Sequence, residues 1–353
     1  MTSAVDTRTV LSRRLLAGRG ALPEPVEVGV GPVGTGELRI RAAYSLISPG
    51  TELHYLDRLM GSGETFPLGY CSAGTVEAVG PGTTGFAVGD RVTAMGWGEA
   101  THGDVVVVPY RLCRRVPDTM HLADAVVANL AATAVHAVDR AELSPGDEVA
   151  VVGAGMVGLL IAQTAAAAGH QVTVTDLHPG RLRTAEALDV RVWESPFPPG
   201  PPGAPAPAGS SRCVFLCGTG EASGTLAEAA RWAGRAPVRP RVVGVGRFAA
   251  RVEFSVDLGN LDLRYAARCG AGYRDYAYAR GYTDVTPPRG QATVTENLQR
   301  ALDLIADGAV RPDRMGLPRL PLEQAADAYA ELRGRPAHPA VVFAYEPAEE
   351  SRT

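Results

Sequence analysis

The sequence is sparing with the residues that build disulfide, metal-knuckle and membrane proteins. Cysteine occurs five times in 353 residues, at 71, 113, 213, 217 and 269. Only Cys213 and Cys217 are close together, and they flank the apolar Val-Phe-Leu of an expected strand. Neither a disulfide framework nor a zinc knuckle follows from that spacing. The five read as reduced thiols of a cytoplasmic protein. No apolar run reaches the length a bilayer demands, and no apolar signal core stands near Met1. Charged residues make up 20% with a formal net charge of −4, which leaves no basic field for nucleic acid. Hydrophobic residues make up 46%, so a chain of this length can bury a large core and favours two domains over one.

What is present is a glycine-punctuated stretch from Glu148 to Leu160, E-V-A-V-V-G-A-G-M-V-G-L-L. An apolar strand pattern runs into Gly153, Gly155 and Gly158, and an alanine-rich helical pattern follows to about Ala168. Strand, tight turn and helix are the context in which G-x-G-x-x-G signals a dinucleotide site. Gly153 permits the turn, Gly155 lets the backbone approach a pyrophosphate, and Gly158 lets the helix pack on the sheet. A second strand, Gln171–Thr175, ends in Asp176, placed to accept hydrogen bonds from an adenosine ribose. The expected cofactor set is Gly153, Ala154, Gly155, Met156, Val157, Gly158, Asp176, Arg181, Cys217, Gly218, Val245 and Gly246. A carboxylate at 176 repels a 2′-phosphate and favours NAD, whereas Arg181 keeps NADP open.

Upstream, short β-like segments lie between glycines and prolines: Glu37–Ser45, Gly74–Val79, Asp90–Met95 and Asp104–Pro109. Residues 1–22 read as a frayed start with one short strand at Arg8–Leu11. The spacing predicts a compact β domain. A helix is expected over Leu122–Arg140 before the turn Ser144-Pro145-Gly146-Asp147. Downstream, strands are expected at Arg212–Leu216 and Arg241–Val245 and a helix over Gly224–Ala233. Residues 196–209 are proline-rich and read as an exposed loop. Thr295 is expected to cap a helix through Asp307. A helix Leu322–Arg333 and a strand Ala340–Tyr345 close the chain.

The runs G-E-L-x-I-R-x-x-Y-S at 36–45, G-T-V-E-A-V-G at 74–80, F-A-V-G-D-R-V at 86–92 and L-x-P-G-D-x-V-x-V-x-G-A-G-x-V-G at 143–158 resemble the medium-chain dehydrogenase/reductase superfamily over nearly the whole chain. The resemblance implies an α/β architecture: a GroES-like β-rich catalytic domain from residues 1–125 and 267–353, and a Rossmann nucleotide-binding domain from 126–266. It also implies a homodimer, with residues 252–265 as the dimerising edge.

In the zinc members of that superfamily a Cys-Gly-Thr-Asp-x-His segment supplies a ligand, and here the matching residues are Pro49, Gly50, Thr51, Glu52, Leu53 and His54. The second signature, Gly-His-Glu, matches Gly69, Tyr70 and Cys71. The third ligand falls within Ala128–Ala132, where Asn129 is the one polar side chain. Proline offers no donor, and a lone cysteine does not rebuild the site, so no metal is expected. Side-chain donors must then stabilise the oxygen of an alcohol or ketone. Tyr70 leads, Ser48, Thr51 and His54 follow, and Glu52 reads as an orienter or a contact to the cofactor amide. His102 is read as a loop residue, with substrate contact the alternative.

Residues 269–310, including G-x-G-Y-R-D-Y-x-Y-x-R-G-Y-T-D, together with S-P-G-T-E at 48–52, resemble a zinc-free branch of the superfamily. That branch includes bacteriochlorophyllide a dehydrogenases, threonine dehydrogenase-like proteins and dehydrogenases of sugar pathways. Tyr273, Tyr276, Tyr278 and Tyr282 with Arg268, Arg274 and Arg280 form the densest aromatic and guanidinium patch, suited to a small polar or ring-bearing substrate. The reading is a zinc-independent NAD(P)(H)-dependent oxidoreductase of a biosynthetic, secondary-metabolite pathway. It interconverts a secondary alcohol and a ketone. The alternatives are a zinc-free reductase of an activated C=C or C=N bond, and a binding protein without turnover.

Overall fold

The computed structural model describes residues 9–18, 21–59, 63–194, 212–235 and 238–345; the proline-rich stretch 196–209 lies outside them. The chain opens as an antiparallel hairpin, β1 (Val10–Gly18) and β2 (Ala21–Val30). One nine-residue strand, β1, thus stands where a frayed start was expected, with Leu15 and Ala17 buried while Leu11 and Arg13 are exposed. After β3 (Glu37–Leu46) comes a helix, α1 (Pro49–Leu59), in the stretch matched only to a ligand loop by sequence. Pro49 at its first position needs no N–H partner, which suits a helix start. β4 (Thr65–Pro67) pairs with β1, and β5 (Cys71–Val79), β6 (Arg91–Met95), β7 (Val105–Pro109) and β8 (Cys113–Arg115) complete the β-rich half. β3 is its hub, antiparallel to β5 along one edge and to β7 along the other.

The expected helix Leu122–Arg140 is broken in two, α2 (Leu122–Ala125), capped by the His121 imidazole, and α3 (Ala128–Ala141). α3 is alanine-rich and buried around most of its circumference, as a helix wedged between other elements must be.

Next follow β9 (Glu148–Val152), α4 (Met156–Ala167), β10 (Gln171–Thr175), α5 (Pro179–Ala187), β11 (Arg191–Trp193), β12 (Arg212–Glu221), α6 (Ser223–Ala233), β13 (Arg241–Ala249) and β14 (Asp262–Ala266). The strands form one parallel sheet in the order β11-β10-β9-β12-β13-β14. This is the doubly wound Rossmann order, and its switch point lies between β9 and β12, where the carboxyl ends open a crevice. β12 runs five residues and β13 four past the expected ends, paired to Glu221 and Ala249, and so raise one wall of that crevice.

The tail comprises α7 (Tyr276–Ala279), α8 (Val294–Ala306), β15 (Arg319–Pro321), α9 (Ala325–Arg333) and β16 (Val342–Ala344). Thr293, not Thr295, caps α8, through a capping box with Glu296. Thr295 Oγ1 instead donates to Arg111 O at 2.8 Å. β16 returns to pair antiparallel with β3 and β15 joins it, so both chain ends build the GroES-like sheet β15-β16-β3-β5-β6-β8.

Candidate active site

A cleft of about 900 Å³ runs along the carboxyl ends of β9, β12 and β13 and is faced by α1, the start of β5 and α3. Its nucleotide half follows from the glycines. Gly153 has φ of 104°, and a Cβ there would sit 2.0 Å from Cys217 O. A Cβ on Gly158 would sit 1.8 Å from Gly153 O, so only glycine lets α4 close on the turn. Gly155 differs, since nothing lies within 4 Å of the place its Cβ would occupy. That open space stands before the first turn of α4, whose leading N–H groups have no partner within the helix.

Asp176 closes the turn. Its Oδ2 accepts from Ala154 N at 2.7 Å and its Oδ1 from His178 N at 2.8 Å. Each oxygen keeps a lone pair for a further donor. Arg181 also lines the cleft, and its Nε donates to Pro336 O at 3.2 Å. Burial lowers its pKa against the opposing pull of Asp176. Gly153, Gly155, Met156, Val157, Gly158, Asp176, Arg181, Cys217, Gly218, Val245 and Gly246 all line the cleft. Ala154 does not; its methyl is fully buried and its N–H is spent on Asp176.

The opposite half gathers Ser48, Thr51, His54, Tyr70, Asn129 and Thr133. The Tyr70 phenol donates to Ser48 Oγ at 2.6 Å and stands 3.4 Å from Thr51 Oγ1. Burial, then the nearby Cys71 thiol, raises its pKa far above the ordinary phenol value, while the bonds to Ser48 and Thr51 pull it back. Asn129 Nδ2 donates to Tyr70 O and to Cys71 Sγ.

Glu52 is not on the cleft wall, against the expectation of a cofactor contact. It points inward from α1, fully buried, and accepts from Ser48 N. His102 does lie in a loop, but it is fully buried and off the cleft, bonded to Ser45 and Glu52, which sets aside the alternative of substrate contact.

Of the tyrosine patch, only Tyr273 lines the cleft, with Arg268 and Arg274. Tyr278 is buried and donates to Thr295, Tyr282 donates to Thr35 O, and Arg280 stacks on Tyr276 and pairs with Glu37. These join the tail to β3 and its turn, as tyrosines at a domain seam do. The sequence reading missed Tyr55 and Trp97; Arg247, which follows Gly246 and was expected near the nicotinamide end, also lines the cleft. Tyr55 stacks against Trp97 with centroids 4.5 Å apart, and Arg247 lies 5.0 Å over the Tyr55 ring. The signal was helical period, since 51, 54 and 55 share one face once α1 is read as a helix.

Among the described residues, no group of three or more His, Cys, Asp or Glu side chains is placed to hold a metal ion. None of their helices is long and apolar enough to cross a membrane. Residues 148–194 match the family model for the NAD binding domain of 3-hydroxyacyl-CoA dehydrogenase. An alcohol dehydrogenase of Escherichia coli CFT073, solved with NADH, superposes with a TM-score of 0.74 at 18% identity, covering 95% of this chain and 99% of that one. The fold is that of a medium-chain dehydrogenase/reductase. Within that fold, the chain is similar to the erythronolide synthase EryA2 of Saccharopolyspora erythraea, 33% identical over 50% of this chain and 5% of that protein. It is also similar to D-xylulose reductase A of Aspergillus oryzae, 31% identical over 39% of this chain and 47% of that protein. The chain thus spans less than half the length of these curated relatives.

Proposed function

We propose that the protein is a zinc-independent NAD(P)(H)-dependent oxidoreductase that interconverts a secondary alcohol and a ketone. The observation that carries the reading is the Tyr70 phenol, hydrogen-bonded to Ser48 and Thr51 in a cleft whose other wall is a glycine cradle. The residues present fit a dinucleotide: the space before Gly155 and the first turn of α4 suit a pyrophosphate, and Asp176 has lone pairs left for ribose hydroxyls. Asp176 favours NAD, and NADP remains open through Arg181.

Bound in the cleft, the cofactor supplies or takes up a hydride at its nicotinamide ring. The chain's own part is the proton. Tyr70 holds one on its phenol and, in the reductive direction, gives it to the oxygen that becomes an alcohol. Ser48 and Thr51 steady the phenol and hand a proton back, with His54 between them and solvent. The chain contains no lysine, and arginine does not give up its proton, so on the wall facing the glycine turn the proton carriers are the Tyr70 phenol, the Ser48, Thr51 and Thr133 hydroxyls and the His54 imidazole. Tyr55, Trp97 and Tyr273 provide flat apolar faces, and Arg247, Arg268 and Arg274 provide cations, for a polar or ring-bearing substrate. The relative named for D-xylulose reduction supports a polyhydroxylated ketone, and the one named erythronolide synthase supports a biosynthetic setting. We propose a homodimer contact along residues 252–265, where Phe254, Val256 and Tyr265 are exposed.

The test is turnover with NADH and NADPH on a panel of ketones, D-xylulose included, using protein whose metal content has been measured. Reduction by metal-free protein supports the proposal. Activity that tracks bound zinc, or hydride delivered β to a carbonyl, overturns it.

A further inference from the structure

Behind α1 lies a polar cluster that the cleft does not expose. Ser45, Glu52 and His102 are fully buried, and Tyr329 and Tyr345 nearly so. His102 Nδ1 lies 2.7 Å from Ser45 Oγ, and Nε2 lies 3.0 Å from Glu52 Oε2. Ser45 Oγ is 2.7 Å from the Tyr345 hydroxyl. The Tyr329 hydroxyl donates to the same Glu52 oxygen, and the other oxygen accepts from Ser48 N at 2.7 Å. An ionised carboxylate only accepts, so the consistent assignment puts the imidazole proton on Nε2 and lets Nδ1 accept from Ser45. Each of these side chains then has a partner, and a fully satisfied buried network is stiff.

Carboxylate, imidazole and hydroxyl in series have the composition of a nucleophilic triad, yet neither Ser45 nor His102 reaches the cleft wall. What the imidazole touches is more telling. On one side, through Glu52, it fixes the backbone of Ser48, whose Oγ receives the Tyr70 phenol. On the other, together with its own backbone, it fills the space a side chain at Gly69 would need. A Cβ there would lie 2.5 Å from His102 N and 2.7 Å from the ring, and Gly69 has φ of 90° immediately before Tyr70. The brace is itself anchored, because His102 N donates to Leu68 O and His102 O accepts from Leu15 N, both at 2.8 Å. Its ring meets Phe343 edge-on at 5.1 Å.

We infer that His102 is a positioning residue for the Tyr70–Ser48 hydrogen bond, acting on Ser48 through Glu52 and on Tyr70 through Gly69, with Tyr329 as the second anchor of the carboxylate. This rests on Tyr70 being the proton donor of the proposed reaction, and deepens that reading by naming what aims it. A donor displaced by a fraction of an ångström keeps its chemistry and loses its alignment.

The experiment uses the full chain labelled with ζ-¹³C tyrosine, with the Tyr70 resonance identified by its loss in Tyr70→Phe. Tyr329→Phe and His102→Asn are compared with wild type for that resonance, for NADH affinity, for thermal midpoint, and for kcat and KM on a ketone the wild type reduces. We expect the Tyr70 resonance to shift and kcat to fall about 10²-fold in His102→Asn, with NADH affinity and KM little changed. Glu52→Gln, which keeps an acceptor for Ser48 N, retains more turnover than Glu52→Ala. Should His102→Asn not fold, Tyr329→Phe, which removes one hydroxyl, decides alone. A folded Tyr329→Phe or His102→Asn with an unmoved Tyr70 resonance and wild-type kcat overturns the inference. A shifted resonance in a protein that reduces no ketone supports the coupling and overturns the assigned reaction instead.

Discussion

Asn129 Nδ2 donates to Cys71 Sγ at 2.9 Å and, from the same nitrogen, to Tyr70 O at 2.6 Å. The bonds tie the start of α3 to the residue that leads into β5. Asn129 is 1% exposed, and its amide is the hydrogen-bond partner that the structure gives the Tyr70 carbonyl beyond its sheet neighbour Gly96. Asn129→Ala therefore leaves buried polar groups short of a donor, and the expected cost is about 1–3 kcal/mol. Asn129→Asp is worse, because it sets a carboxylate against a carbonyl and a thiol whose pKa burial already raises. Urea unfolding of both variants measures this; equal stability of Asp and wild type at neutral pH contradicts it.

Tyr70→Phe removes one hydroxyl and leaves the ring against Trp97, 5.8 Å away between centroids. The expected result is a kcat lower by about 10²–10⁴-fold, the usual contribution of a positioned acid, with nucleotide affinity unchanged because the phenol faces Ser48 and not the glycine turn. Stopped-flow reduction and NADH titration separate the two quantities. A variant with wild-type kcat assigns the proton to another group, and His54 is the next to replace.

The nucleotide half was legible because its constraints are local. Gly153 and Gly158 are demanded by backbone contacts within one turn, and Asp176 follows one strand later, so spacing alone encodes them. The opposite half was only partly legible. Thr51 and Tyr70, singled out by position, do line the cleft, but their surroundings depend on β5, α1 and a loop near residue 102 meeting in space. Glu52 was left between an orienter and a cofactor contact because a motif records order along the chain and not the turn of a helix. On α1 the residue after Thr51 points away from the cleft, towards His102 and Tyr329. The tyrosines after 272 show the same limit: composition gathers them, whereas the fold sends Tyr273 to the cleft and Tyr278 to the seam.

Gly155 and Gly158 are three residues apart and should respond oppositely to alanine. At Gly158 the new methyl would meet the Gly153 carbonyl, so α4 must lift from the sheet and stability falls by several kcal/mol, as overpacking in a core does (about 1–3 kcal/mol or more). At Gly155 φ is −76° and the methyl enters open space, so the fold is expected to keep its stability. The space it enters is the one proposed for the pyrophosphate, and NAD⁺ affinity should fall about tenfold or more, at a cost of about 1.4 kcal/mol per decade. Calorimetry with and without NAD⁺ reads both effects. Unimpaired NAD⁺ binding by Gly155→Ala moves the pyrophosphate elsewhere in the cleft.

Stability should also fall at alkaline pH. Burial raises the pKa of the Tyr70, Tyr273 and Tyr329 phenols and of the Cys71, Cys113 and Cys269 thiols, and pushes Cys213 and Cys217 up to about 12. The fold therefore favours their neutral forms, whereas an unfolded chain ionises thiols near pH 8.5 and phenols near about 10. Below about pH 8 both states hold these protons and the groups add no pH dependence. Above it the unfolded state binds fewer protons than the native one, so stability drops as pH rises. The chain has no lysine to titrate in the same window, and arginine stays charged. We expect a thermal midpoint that is level between pH 7 and 8, declines from about pH 9 as thiols ionise, and declines faster beyond about 10. Replacing Cys217, half-buried on the cleft wall, with serine should remove part of the first decline and leave the second. A midpoint that stays level to pH 10.5 means that these groups ionise as readily in the native state as in the unfolded one, and that water reaches a core which the packing here closes.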